Sequence, residues 1–154
     1  IYTGEDTLSL HDALPIFEID DSKLVVADAS GLSRKNKITA HLMGELLYKL
    51  RKDEKFAMIY LGLPVGGVSG TLRTRFLITA PSAVGLVRAK TGTLNGTATL
   101  AGYVQSTDRE YVFVTLADDI AKGNTALNKA RAAIDRVLGR IAAPNIPAEI
   151  SPAP

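Results

Sequence analysis

Five consecutive residues offer the plainest chemistry in this sequence: Lys90, Thr91, Gly92, Thr93 and Leu94, within LVRAKTGTLNGTATLAGYV, Leu86 to Val104. An apolar run meets a cation, then a hydroxyl, then a residue with no side chain. Side chains alternate along a strand, so Leu86, Arg88 and Lys90 share one face and Val87, Ala89 and Thr91 the other. Lys90 is expected at the strand end, where a cation points into a cleft. Gly92 would let a ligand backbone lie against the strand edge. The backbone N–H of Thr93 is then left to donate to a bound carbonyl oxygen. Together these groups would hold a carboxylate and an oxyanion along one edge. The ordinary alternative is a solvated lysine at a strand end, because a bare Lys-Thr-Gly is a weak signal.

Two further stretches bear on that choice. DASGLSRKN, Asp28 to Asn36, sets two serines, a glycine and a basic pair before a helix, and makes Ser33 and Asn36 candidates. LPVGGVSGTLRTRF, Leu63 to Phe76, holds a proline and closely spaced glycines, a loop with unusual backbone needs. It is not a phosphate-binding loop, which needs a lysine directly after its last glycine; Thr71 follows Gly70. Nor is it an esterase elbow, since Gly67-Val68-Ser69-Gly70-Thr71 breaks G-x-S-x-G at its last position. With no cysteine and only His11 and His41, the sequence offers no thiolate metal site, and no metal or cofactor is expected.

These residues need elements to position them. Lys23 to Ala27 reads as a short strand. Ile38, Leu42, Leu46 and Leu50 recur every four residues with Met43 and Leu47 beside them, a helix that Thr39 or Asn36 would cap. His41 falls off that stripe, as an ordinary, partly exposed helix residue. Leu86–Thr91, Ala98–Gln105 and Tyr111–Ala117 read as three antiparallel strands, the last two joined by Ser106–Arg109. Thr125–Ala142 is an amphipathic helix with Leu127, Ala130, Ile134, Val137, Leu138 and Ile141 on one face. One helix across an antiparallel sheet is an α+β layer. The 154 residues suit one domain or part of one, and 46% hydrophobic residues are enough for a core. A net charge of +2 without a Lys/Arg block argues against nucleic acid. No apolar run reaches the roughly 18 residues of a membrane span.

The first sixteen residues fit nothing that follows. They have neither the charged start nor the apolar centre of a signal peptide. Thr7 to Ile16, TLSLHDALPI, is similar letter for letter to the translation of a common short-read library adapter. Residues 1–16 are therefore expected to be a foreign segment, 17–143 the folded part, and the proline-punctuated 144–154 a frayed tail. His11 leaves with the foreign segment. The natural protein is expected to extend upstream of Phe17.

From Asp28 to Asp118 the three motifs, in this order and with these flanks, resemble the class C low-molecular-mass penicillin-binding proteins. These are D-alanyl-D-alanine carboxypeptidase/endopeptidases of the serine penicillin-recognising superfamily. The resemblance implies the C-terminal part of a β-lactamase/transpeptidase-like domain. It implies as ligands a peptidoglycan stem peptide ending in D-Ala-D-Ala and β-lactam antibiotics, in the periplasm or outside the cell. Ser33 would match the serine of S-x-N, which relays a proton toward the leaving group. Lys90 and Thr91 would bind the terminal carboxylate, Gly92 would complete K-T-G, and Thr93 would give one of two oxyanion-hole N–H groups. Leu94 would line the pocket for the residue before the scissile bond. Three departures stand out. Lys35 occupies the Asn position of S-x-N and Asn36 comes one residue late, so either could fill it. Ser69 stands where the family often has Asp. The nucleophile motif S-x-x-K is absent from every serine of the chain, and is expected upstream. The chain alone is then expected to be inactive. The rival reading is a catalytically dead relative that binds cell-wall peptide or a protein partner; a serine β-lactamase also carries K-T-G, but the DASGLS and LPVGGVSGTL signatures favour the peptidase.

Overall fold

The computed structural model of the chain describes residues 17–28 and 30–143. Expectations for 1–16 and 144–154 lie outside the described residues. Three strands form the sheet: β1 (Val87–Leu94), β2 (Thr97–Gln105) and β3 (Glu110–Ala117). They are antiparallel in the order β1-β2-β3, with Lys90 opposite Ala101 and Ala101 opposite Val114. The first hairpin turns at Asn95-Gly96, where Gly96 takes a φ of +83° that glycine adopts without strain. The second turns at Ser106–Arg109, as the sequence indicates, with Ser106 N–H donating to Arg109 O at 2.8 Å.

A helix covers each face of the sheet. Helix α1 (Ala40–Lys52) begins at Thr39, whose hydroxyl accepts from Leu42 N–H at 3.1 Å. A short helix, α2 (Ala57–Gly62), follows, and the last is α3 (Asn124–Ala142). The α3 face of the sheet carries Val87, Ala89, Leu100 and Val104, packed with Ile134, Leu138 and Ala142 in one core. The opposite face carries Tyr103 and Val114; the Tyr103 hydroxyl donates to Leu47 O of α1 at 2.8 Å. Four buried side chains, Ile19, Leu24, Leu42 and Leu46, form a second cluster behind α1.

Three expectations change. The strand at Lys23–Ala27 is a single bridge, Val25 with Lys37, because nothing continues the pairing on either side. Val137 is exposed, while Asp135 and Gly139 are buried on the same helix. The reason at Gly139 is spacing: a Cβ there would stand 2.8 Å from the Ala80 Cβ, so only glycine lets α3 approach so closely. Lastly, Lys90 sits inside β1 rather than at its end, because the strand continues through Thr91, Gly92 and Thr93 to Leu94.

Candidate active site

The site is made by an edge of β1 that is half covered. In an antiparallel pair, alternate residues turn their N–H and C=O away from the partner strand. On β1 these are the odd-numbered residues. Ala89 N–H donates outward to Pro64 O at 3.0 Å, and Val87 O accepts from Gly66 N–H at 2.8 Å. The Pro64–Gly66 segment thus acts as a short edge strand, bridged at Val65 to Arg88. It turns away at Gly67, with φ +69°, where a Cβ would also stand 2.9 Å from Val84. The glycines of this loop therefore end the cover, and Ser69 Oγ holds the turn by accepting from Val65 N–H at 3.0 Å. Beyond Ala89 the edge carries no further strand among the described residues. Thr91 and Thr93 turn their backbone N–H and C=O away from β2, toward this edge.

Side chains flank that edge on both sides. Lys90 is exposed, and its ammonium folds onto the outward carbonyl of Thr91 at 2.8 Å. On the α3 side the Thr91 hydroxyl lies 3.1 Å from the Thr71 hydroxyl. The Thr93 hydroxyl accepts from Arg131 of α3 at 3.0 Å. Thr71, Thr91, Gly92, Thr93 and Arg131 line a cleft of about 540 Å³. At its floor Arg75 pairs with Asp135, which is 3% exposed, and Thr79 donates to the same carboxylate at 3.0 Å. Gly92 has an intramolecular reason: a Cβ there would stand 2.3 Å from Thr99 Oγ1 across the hairpin. Leu94, the last residue of β1, is half-buried and stands on the Lys90 face.

Ser33 and Asn36 belong to the loop before α1, which closes on Asp28. Asn36 Oδ1 accepts from Ala27 N–H at 2.7 Å and Asp28 N–H at 3.1 Å. Its Nδ2 donates to Asp28 Oδ1 at 2.7 Å and to Asp28 O at 3.3 Å. Every hydrogen-bonding position of the amide is used, so Asn36 turns no amide toward β1. Ser33 N–H donates to Asp28 Oδ2 at 3.0 Å, and Ser33 Oγ accepts from Lys35 N–H at 3.2 Å. The Asn36 amide, and after it the Ser30 hydroxyl, hold the Asp28 carboxyl below its ordinary range. Arg34 ties this loop to the sheet by donating to Asn95 O at 2.5 Å, at the hairpin tip five residues along from Lys90. Ser33, Asn36, Lys90 and Leu94 do not line that cleft.

Sequence reasoning missed Thr71, Arg131 and the Arg75–Asp135 pair. The available signal was Asp135, a charge four residues from Gly139 and three from Leu138, both on the buried stripe of α3. Among the described residues no group of histidines and carboxylates could hold a metal ion.

A family profile described as D-Ala-D-Ala carboxypeptidase 3 (S13) matches residues 3–141. The chain belongs to that family. Its matched span begins inside the segment expected to be foreign. The D-alanyl-D-alanine carboxypeptidase of Actinomadura sp. strain R39 is 38% identical over 111 residues, 69% of this chain and 20% of the relative. Carboxypeptidase DacB of Mycolicibacterium smegmatis is 40% identical over 121 residues, 76% of this chain and 25% of the relative. The crystal structure of penicillin-binding protein 4 from Haemophilus influenzae, complexed with a β-lactam, matches with a TM-score of 0.73 and 28% identity, over 85% of this chain and 31% of that one. The chain therefore spans a fifth to a quarter of the length of these two relatives. Its sheet and C-terminal helix are part of the transpeptidase-like fold of this S13 family.

Proposed function

We propose that the chain is the carboxylate-binding and oxyanion-binding part of a serine-type D-Ala-D-Ala carboxypeptidase/endopeptidase. The observation that carries this reading is the uncovered edge of β1 at Thr91 and Thr93, flanked by the Lys90 ammonium, in a member of the S13 family. A peptide adds to such an edge as an extended strand, held by main-chain hydrogen bonds. Its terminal carboxylate meets Lys90 and the Thr91 hydroxyl. The Thr93 N–H donates to the carbonyl oxygen that becomes an oxyanion; one such donor is worth ~10²–10³ in turnover. Leu94 lies against the side chain of the residue before the scissile bond.

The nucleophile is the serine of an S-x-x-K motif in the longer protein. Its Oγ forms an ester with the penultimate D-Ala, the peptide C–N bond breaks, and D-alanine leaves with a proton on its amine. Water then hydrolyses the ester. A β-lactam enters the same cleft through its own carboxylate and acylates the same serine; the β-lactam complex of the Haemophilus influenzae relative supports this. Ser33, whose hydroxyl accepts from Lys35 N–H and keeps its own proton to donate, relays a proton toward the leaving amine in this reading, and Asn36 holds the Asp28 loop that carries it in shape. A protein working on peptidoglycan acts outside the cytoplasmic membrane.

Labelled penicillin tests this reading. The present chain should take up no covalent label, having no S-x-x-K. The longer protein should be labelled, and Lys90→Ala should slow its acylation. Label on the short chain, or an undiminished rate in the variant, would contradict the role assignments.

A further inference from the structure

We propose that Arg131 of α3 is a specificity-determining residue that selects ligands ending in a free carboxylate over those ending in an amide. This rests on the reading of the β1 edge as the peptide site. Arg131 is half-buried at the cleft wall. Its guanidinium donates to Thr93 Oγ1 at 3.0 Å and to Asn128 Oδ1 at 3.5 Å, both uncharged acceptors. Among the described residues no carboxylate lies within 4.0 Å of it. The neighbouring cation is different: Arg75 spends its charge on the buried Asp135. The cleft thus holds one neutralised guanidinium and one that faces only dipoles.

Proton placement points the same way. A threonine hydroxyl that accepts from a guanidinium keeps its own proton to donate. Thr93 Oγ–H is therefore available as a donor at the cleft wall. Of the Thr71 and Thr91 hydroxyls, 3.1 Å apart, one donates to the other and one proton remains over. Arg131, Thr93 and the Thr71/Thr91 pair accordingly present donors, with Lys90 across the strand edge. Such a set recognises an acceptor-rich anion, and a planar carboxylate is the group a guanidinium fits. A terminal amide brings an N–H₂ against this set of donors.

The experiment titrates this chain with an N-acetylated peptide ending in D-Ala-D-Ala, as free acid and as C-terminal amide, followed by amide shifts in ¹⁵N–¹H spectra. Variants are Arg131→Gln and Arg131→Lys, each checked for unchanged folding by urea denaturation. The wild type should prefer the acid by roughly tenfold or more, the scale of a hydrogen bond to a charged group. Arg131→Gln should lose that preference without weakening the amide peptide, and Arg131→Lys should keep part of it. A preference unchanged in Arg131→Gln overturns the proposal, as does equal weakening of both peptides, which would mean a structural role only. If the wild type binds the acid and the variants behave alike, the peptide site stands and the role of Arg131 falls. If the wild type binds neither peptide, the peptide site itself is refuted, and this inference with it.

Discussion

Asp135 is a carboxylate on the buried side of an otherwise apolar stripe, and its partner Arg75 is only 14% exposed. Taking one charge away leaves the other in a poorly hydrated place. Asp135→Ala should therefore cost about 3–5 kcal/mol in urea denaturation, whereas replacing both residues by apolar ones of similar volume should recover most of the loss. A double variant no more stable than the single one would refute that account. Tyr103 gives a second test. Burial, and after it the Glu110 carboxylate, push its phenol up to about 12. A tyrosine with a folded pKa above its unfolded value keeps its proton longer when folded. Its contribution is intact below about pH 10 and is lost as pH rises from about 10 to about 12. Thermal melts should fall across that window, and less steeply in Tyr103→Phe; an identical slope in the variant would contradict the assignment. Lys90 to Thr93 could be proposed from the sequence because their neighbours form recognisable signatures. Arg131 was not, because an arginine on an amphipathic helix reads as a solvated one until Thr93 is seen against it.

At the scale of elements, the hairpin of β1 and β2 depends on one glycine. A Cβ on Gly102 would stand 2.1 Å from Arg88 O and 2.6 Å from Ala89 Cα, both backbone atoms that cannot rotate aside. Gly102→Ala must therefore part the two strands next to the site. Overpacking of this kind costs ~1–3 kcal/mol or more, and hydrogen exchange at Lys90 and Gly92, whose N–H groups face β2, should quicken. Unchanged protection there would show the strands closer to tolerance than the contacts imply. The strands themselves could be read from apolar runs bounded by turn residues, and the boundaries at Gln105 and Ala142 agree with the structure. The position of α1 could not. Its apolar stripe says that one face is buried but not against what; Tyr103 and Val114, which α1 covers, look in sequence like ordinary strand residues. The half-covered edge was equally hidden, since it arises from where Gly67 turns the loop away from β1.

At the scale of the molecule, the account is of a peptide-binding edge without its nucleophile. Cover by Pro64–Gly66 ends after Ala89, so a bound strand can begin only at Thr91. The resemblance in three ordered motifs was enough to indicate the family, but motif spacing does not reveal that the Asn36 amide is bonded to Ala27 and Asp28 and so shapes the loop that carries Ser33. The central claim is that a D-Ala-D-Ala peptide lies along the free edge of β1. The most direct measurement is a ¹⁵N–¹H titration of this chain with an N-acetylated peptide ending in D-Ala-D-Ala, beside its L-Ala-L-Ala isomer. The account predicts that the D,D peptide shifts the amides of Thr91 and Thr93, leaves those of Gly66 and Ala89 in place, and loses affinity in Lys90→Ala. Shifts confined to the Asp28–Asn36 loop, or equal response to the L,L isomer, would contradict it.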